Sequence, residues 1–464
     1  MVINGPATAA ERDGSGGRRL DTDPSSPSFD ADVVTLEDVY GPSIDTTQRE
    51  ARPTDVGAGR SAGKRRPTYA AIHLDAIRGL AAFAVVIYHI RYNFFFDYSQ
   101  VGQSDVFTKL FYTATSFGHD AVVVFFVLSG YLISGSILKD LRAGAWSPSH
   151  YLLNRLTRLY VVLIPGLLLT VFWDQLGMHL FPGHPVYTGA PQTWIHDFSR
   201  VADHSSVSTF FANLAFLHAM NGVPPYGTAG PLWSLTYEFA YYLIFPAALL
   251  IVWRSSRWPV RIGGAIATAL LVRHFSAAIL LMFPIWLLGF VLQLLPLNRR
   301  IQHGDPRLRS VGIAIAIVCG IAMTHASLLD GLRHGVNGSQ LYADYITGLV
   351  FSAGLYILLH DLRSASETLY VRGARMLSQM SYSMYVVHMS FLLFLRAVIV
   401  KGQPWHVEWR TVLFTTLLAA ATVAYAGLVW FVAESRTDQV RRFFSKRLFH
   451  SRQAEQRPFS PAHA

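Results

Sequence analysis

Residues 73–94 read HLDAIRGLAAFAVVIYHIRYNF, and this stretch decides the fold. From Gly79 to Ile87 every residue is small or apolar. A mostly apolar run of roughly 20 residues is long enough to cross a bilayer as a helix. Asp75, Arg78 and His89 interrupt the run. An ionisable group in hydrocarbon costs free energy, so each needs a pairing or a purpose. The same pattern recurs along the chain, which predicts further helices at 119–139, 156–177, 232–253, 258–273, 275–296, 310–329, 341–360, 377–399 and 410–433. Composition agrees. The chain is 52% hydrophobic and 15% charged, against about 25% charged in soluble domains. The reading is an all-α, polytopic membrane helix bundle of about ten transmembrane helices.

The ends and loops orient the bundle. Residues 1–68 are polar, have no apolar segment, and are expected to form a disordered cytoplasmic N-terminal arm without a cleavable leader. The membrane domain is expected over 69–435. A basic cytoplasmic tail follows over 436–464, carrying Arg436, Arg441, Arg442, Lys446 and Arg447. The apolar segment 207–220 is short and is read as re-entrant or interfacial. On that reading Lys64–Arg66, Lys139–Arg158, Arg254–Arg261, Arg299–Arg309, Arg363–Arg375 and the tail all fall on one side. The positive-inside rule then places both termini in the cytoplasm. It also accounts for the net charge of +10 without nucleic acid, which is not expected as a partner. The single cysteine, Cys319, excludes an intrachain disulfide and reads as a small core residue. The long outer loop 178–206 holds His179, His184, His196, His204, Trp194 and Asp197. It is either a substrate-binding rim or a polar surface loop. Its irregular spacing does not propose a metal site, and none is expected.

Several intramembrane residues have the chemistry for a site. Asp75 and Arg78, three apart, share a helix face and can pair. His89 is eleven residues beyond Arg78, roughly 16 Å and about three turns, so it lies on the same face. One face thus offers a cation near the cytoplasmic end and a titratable base further out. Within FFVLSGYLI at 125–133, Ser129 and Gly130 permit close helix contact. Arg155 and Arg158, three apart at the inner surface, suit either phosphate or lipid headgroups. Ser234 and Glu238 share a face four residues apart, and His89 at similar depth is the expected companion of Glu238 in a general-base unit. His388 is a further intramembrane titratable group among hydroxyls.

These segments, in this order, resemble the acyltransferase 3 family of integral membrane O-acyltransferases. The resemblance rests on LDAIRG at 74–79 with Tyr88-His89, the run at 125–133, Arg155-x-x-Arg158, and Leu232-Trp233-Ser234-Leu with Glu238 and Tyr241-Tyr242. Phe283 with Leu288-Gly289 and Ser381-Tyr-Ser-Met-Tyr385 with His388 complete it, so it spans about residues 70–435. It implies an acyl-CoA donor, usually acetyl-CoA, taken from the cytoplasm, and a carbohydrate acceptor hydroxyl in a surface or exported glycan. It implies an integral protein in membrane lipid, in a bacterial inner membrane. Arg78 and His89 match the family's Arg-x(10)-His motif, Arg155 and Arg158 its Arg-x-x-Arg motif, and Glu238 its acidic position. His89 and Glu238 are therefore the expected catalytic pair, Arg78, Arg155 and Arg158 the donor-binding residues, and Trp233, Ser234 and His388 the substrate-binding ones. Ser129 and Tyr131 are candidate oxyanion donors. One departure stands out. Many members carry Gly-Val-Asp/Glu before the Phe-Phe pair, whereas this chain has Ala121-Val-Val-Val with His119-Asp120 just upstream. The competing reading is a secondary transporter or flippase for a glycan or its precursor, since intramembrane His, Glu and Arg also suit proton coupling. The lack of a visible inverted repeat counts against it.

Overall fold

The computed structural model describes residues 66–102, 104–189, 200–220, 222–296 and 339–455, with a few positions between 298 and 320. Among the described residues the regular structure is helical, and the only extended pairings are the isolated bridges Thr68–Ser364 and Phe95–Trp405. The helices are α1 (Tyr69–Phe94), α2 (Val106–Ala114), α3 (Gly118–Arg142), α4 (Pro148–Leu180), α5 (Val207–Leu214) and α6 (Trp233–Val252). They continue with α7 (Trp258–His274), α8 (Ala277–Leu292), α9 (Ser339–Leu358), α10 (Leu369–Ile399), α11 (Trp409–Val432) and α12 (Thr437–Glu455). Nine of the ten expected segments are helical, and the tenth, 310–329, lies largely outside the described residues, as do Cys319, Trp194, His196 and Asp197. By length and composition seven helices among the described residues can cross a bilayer, while α8 is apolar but shorter.

Helix starts follow local chemistry. The Thr68 hydroxyl accepts from the Ala71 amide at 3.3 Å and Thr368 accepts from Val371 at 3.3 Å, each satisfying an orphan N–H of the first turn. Pro148 opens α4, where its missing N–H costs nothing. Glu408 and Thr411 form a reciprocal capping box on α11. α4 and α10 start eight residues before their expected positions. At 33 and 31 residues they measure about 50 Å and 47 Å, against a hydrocarbon core of about 30 Å. Their polar first turns extend beyond the apolar pattern that announced them.

α10 packs along α1 through the centre of the bundle, and α3 lies against both α1 and α8. Close approach depends on glycine. A Cβ on Gly130 would lie 1.9 Å from the Trp286 carbonyl oxygen, and one on Gly289 would lie 2.1 Å from the Val127 carbonyl oxygen. A Cβ on Gly79 would meet the Leu377 side chain at 2.5 Å. Tyrosines tie helices to neighbouring backbones: Tyr151 donates to the Tyr242 carbonyl (3.0 Å), Tyr241 to Ile279 (2.7 Å) and Tyr382 to Leu159 (3.0 Å).

The segment after α5 turns back on itself. Asn213 donates to the Thr209 and Pro224 carbonyls and accepts from the Tyr226 amide, which closes a hairpin. Tyr160, within α4, donates to the Leu214 carbonyl at 3.1 Å, so the tip enters the bundle. Asp174 fastens the return limb by accepting from the Thr228 amide (2.9 Å) and hydroxyl (2.6 Å). The segment therefore folds back along α4 rather than continuing as one helix. The starts of α1, α4 and α10 meet the end of α11 at one end of the bundle, where Arg78, Arg158, Ser378 and Glu434 line a common cavity.

Candidate active site

That end of the bundle opens into two confluent compartments of about 520 and 560 Å³, which share Arg78, Ser136, Arg155, Arg158 and Arg441. The mouth is basic. Arg78 is held by Asp75 at 3.0 Å and by the Ser378 hydroxyl, which itself donates to Asp75 at 2.8 Å. The expected Asp75–Arg78 pair is therefore present. Arg155 donates to Ser136 at 2.8 Å and lies over the Tyr151 ring, and its buried Nε has no hydrogen-bond acceptor. Among the described residues neither Arg155 nor Arg158 has a carboxylate oxygen within 4 Å. Two guanidinium groups with no direct ion pair beside a cavity have the chemistry to hold an anion, with the Glu434 carboxylate close enough to interact with Arg158.

Inward the lining changes to Phe125, Phe126, Leu132 and Val122, with Ser129, Ser234, Glu238 and Tyr385 among its polar groups. Glu238 does not pair with His89 as expected. Its Oε1 accepts from Tyr242 (2.5 Å), one turn on, and from Ser129 (3.1 Å), while Ser129 in turn accepts from Trp286 Nε1 (3.2 Å). The carboxylate is satisfied locally by hydroxyls, which in a low-dielectric bundle cost less to bury than a second charged ring. The same network commits the Ser129 proton, and Tyr131 is fully buried away from the cavity. Neither hydroxyl is placed as an oxyanion donor.

His89 instead meets His388. Its Nδ1 lies 3.1 Å from His388 Nε2 and 2.9 Å from the Val85 carbonyl. His388 is completely buried, and its Nδ1 faces the Met384 (3.1 Å) and Tyr385 (2.7 Å) carbonyls. Two carbonyls accept only, so His388 Nδ1 carries the proton and its Nε2 a lone pair. His89 Nδ1 must then carry a proton, shared between His388 Nε2 and Val85, which leaves a lone pair on His89 Nε2. The tautomers of both rings follow from their acceptors. Tyr88 stands edge-on to His89, and the Tyr88 ring occupies the space that a Cβ on Gly118 would need.

Tyr385 stands between the cavity and this pair. It lines the cavity, and its ring centroid is 6.0 Å from that of His388. Its hydroxyl donates to the Pro231 carbonyl and accepts from Ser234, whose oxygen is 2.6 Å away. Ser234 therefore lies at the inner end of the cavity. Trp233 lies beside it, its ring stacked toward His119 (6.4 Å) and edge-on to Tyr237 (5.0 Å). His119, the departure noted above, bonds Asp344 at 2.9 Å, and Asp120 accepts from Thr347 at 3.3 Å. Both residues join α3 to α9 away from the histidines.

The fold thus gathers Arg78, Arg155, Arg158, Ser234 and Glu238 on one cavity and places His89 with His388 behind Tyr385. Sequence reasoning missed the histidine pairing, because 299 residues separate the two rings. It also missed Arg441, which sits on a helix in the basic tail. Tyr242 was findable, since it stands one helical turn from Glu238.

The acyltransferase 3 model, described as an acyltransferase domain, matches residues 72–431. The chain is 31% identical over 175 residues to "Acyltransferase MdmB" of Streptomyces mycarofaciens, covering 37% of this chain and 38% of that one. It is 23% identical over 422 residues to "Putative peptidoglycan O-acetyltransferase YrhL" of Bacillus subtilis, covering 81% of this chain and 56% of that one. It therefore spans only part of the length of these relatives. No solved structure matches significantly. With the family match running from the first membrane helix almost to the end of the last, the chain belongs to the acyltransferase 3 family.

Proposed function

We propose that the protein is an O-acyltransferase of the bacterial inner membrane, working on an acyl-CoA, acetyl-CoA in the first place. The acyl group passes to a hydroxyl of a sugar in a surface or exported glycan. The observation that carries this reading is the arginine pair Arg155 and Arg158. Among the described residues it makes no direct ion pair, and it stands at the mouth of a cavity that ends on Tyr385, with a histidine pair of fixed tautomers behind it. The phosphates of the donor sit at the mouth with Arg78, Arg155 and Arg158. The thioester arm lies along the apolar lining toward Ser234.

His89 Nε2 takes the proton of the acceptor hydroxyl as its oxygen attacks the thioester carbonyl. The tetrahedral intermediate expels the thiolate, and His89 returns the proton to sulfur, giving ester and free CoA. Positive charge on His89 is shared through its Nδ1–H with the lone pair of His388. His388 is thus a positioning residue, and the acceptor-binding role expected of it gives way to that one. Glu238 stands on the donor side of Tyr385, where its Oε2, with no hydrogen bond among the described residues, accepts from the donor arm. Trp233 and Ser234 border the acceptor.

Membranes from cells expressing the protein, given labelled acetyl-CoA, are expected to label a surface glycan. His89→Ala should lower that rate roughly 10²–10⁴-fold at unchanged membrane abundance. Full activity in a normally inserted His89→Ala protein would refute the mechanism. Mass spectrometry of the glycan with and without the gene identifies acyl group and acceptor together.

A further inference from the structure

The family match ends at residue 431, yet the basic mouth is completed from beyond it. Helix α12 packs back along α4, and its Arg441 lines both compartments beside Arg155 and Arg158. The return of the chain is fixed at Glu434, whose carboxylate accepts from the Ser383 amide (3.0 Å) and hydroxyl (2.7 Å) on α10. Arg441 is bonded within its own helix to Asp438 at 2.9 Å. Asp438 is 63% exposed and Arg441 28%, so the pair is hydrated and exchangeable. In the mouth compartment five cations (Arg78, Lys139, Arg155, Arg158 and Arg441) face three carboxylates (Asp140, Glu434 and Asp438).

We propose that Arg441 is a binding residue for the phosphates of the acyl donor, and that α12 is a wall of the donor site. This rests on the acyl-CoA reading above. On donor binding the guanidinium leaves Asp438, at least in part, for phosphate, which offers a second negative charge and more acceptor oxygens. The tail is then part of the enzyme, and donor affinity depends on a helix outside the family's common domain.

The test is titration of CoA into the full-length protein in nanodiscs of phosphatidylcholine alone, which hold no anionic lipid. Wild-type protein is expected to bind CoA. R441Q is expected to bind at least about tenfold more weakly, and R442Q, an equal loss of charge at an exposed position of the same helix, to bind as wild type. D438N frees Arg441 from its internal carboxylate and is expected to bind CoA more tightly, which a purely structural role for the pair would not produce. Equal affinity in R441Q and wild type overturns the proposal, as does an equal loss in R442Q, which would mean bulk charge alone. An effect of R441Q seen only when anionic lipid is added assigns the residue to headgroups and also overturns it. Failure of wild-type protein to bind CoA removes the donor reading itself, and this inference with it.

Discussion

Gly130 and Gly289 face each other across the contact of α3 with α8, each against backbone of the other helix. Backbone does not yield as the end of a flexible side chain does. Gly130→Ala is therefore expected to lower stability by about 1–3 kcal/mol or more, read as a lower melting temperature in detergent. The next position, Ser129, belongs instead to the Glu238 network, and Ser129→Ala should be milder in stability than Gly130→Ala. His388→Gln is expected to lower kcat at least about tenfold while leaving KM for acyl-CoA nearly unchanged, since His388 touches His89 and not the donor cavity. The sequence made His89 legible through its spacing from Arg78 on one helix face. The pairing of His89 was not legible. Depth along a helix follows from counting residues, but which helix lies opposite depends on packing, and Glu238 and His388 were both at plausible depth.

Among the elements, the hairpin at 207–232 and helix α12 show two ways that hydropathy misleads. The run 207–220 buries Phe216 and Met220 but leaves Val207 and Phe211 exposed, and its shortness was the clue that it turns back. Asp174→Ala would strand the Thr228 amide and hydroxyl, at a cost of about 1–3 kcal/mol, with faster proteolysis around 215–230 as the readout. α12 carried no apolar signal, since an arginine-rich surface helix reads as a tail. The outer turn before Pro185 offers a pH test. His184 Nδ1 accepts from the Val186 amide (3.2 Å) and its Nε2–H donates to the Val400 carbonyl (3.0 Å), which requires a neutral ring. Burial lowers its pKa below the ordinary 6.5. The contribution to stability is complete above that ordinary value and is lost as pH falls through it toward the folded value. Amide exchange over 181–189, corrected for intrinsic rate, is expected to rise as pH drops below 6.5, and His184→Gln should flatten that dependence.

At the scale of the whole molecule, the bundle brings the starts of α1, α4 and α10 to the same end as α12. Single cysteines placed at Ser364 and Ser435, in a Cys319→Ser background, are expected to react with an impermeant reagent from one side of oriented vesicles. One at Ser205 should react from the other. The basic loops made this arrangement readable from sequence, because charge asymmetry records orientation. The cavity was not readable, since its walls come from segments separated by hundreds of residues. Tyr385, buried and tied to Pro231 and Ser234, stands at the inner end of that cavity. A water-lined path through a membrane protein would carry protons down the gradient that powers the cell. On the proposed mechanism, a tyrosine that bars water while an acyl group is handed past it would let the enzyme work across a charged membrane without discharging it. Vesicles holding Tyr385→Ala should therefore lose an imposed pH gradient faster than those holding the wild-type protein, even with no acyl donor present.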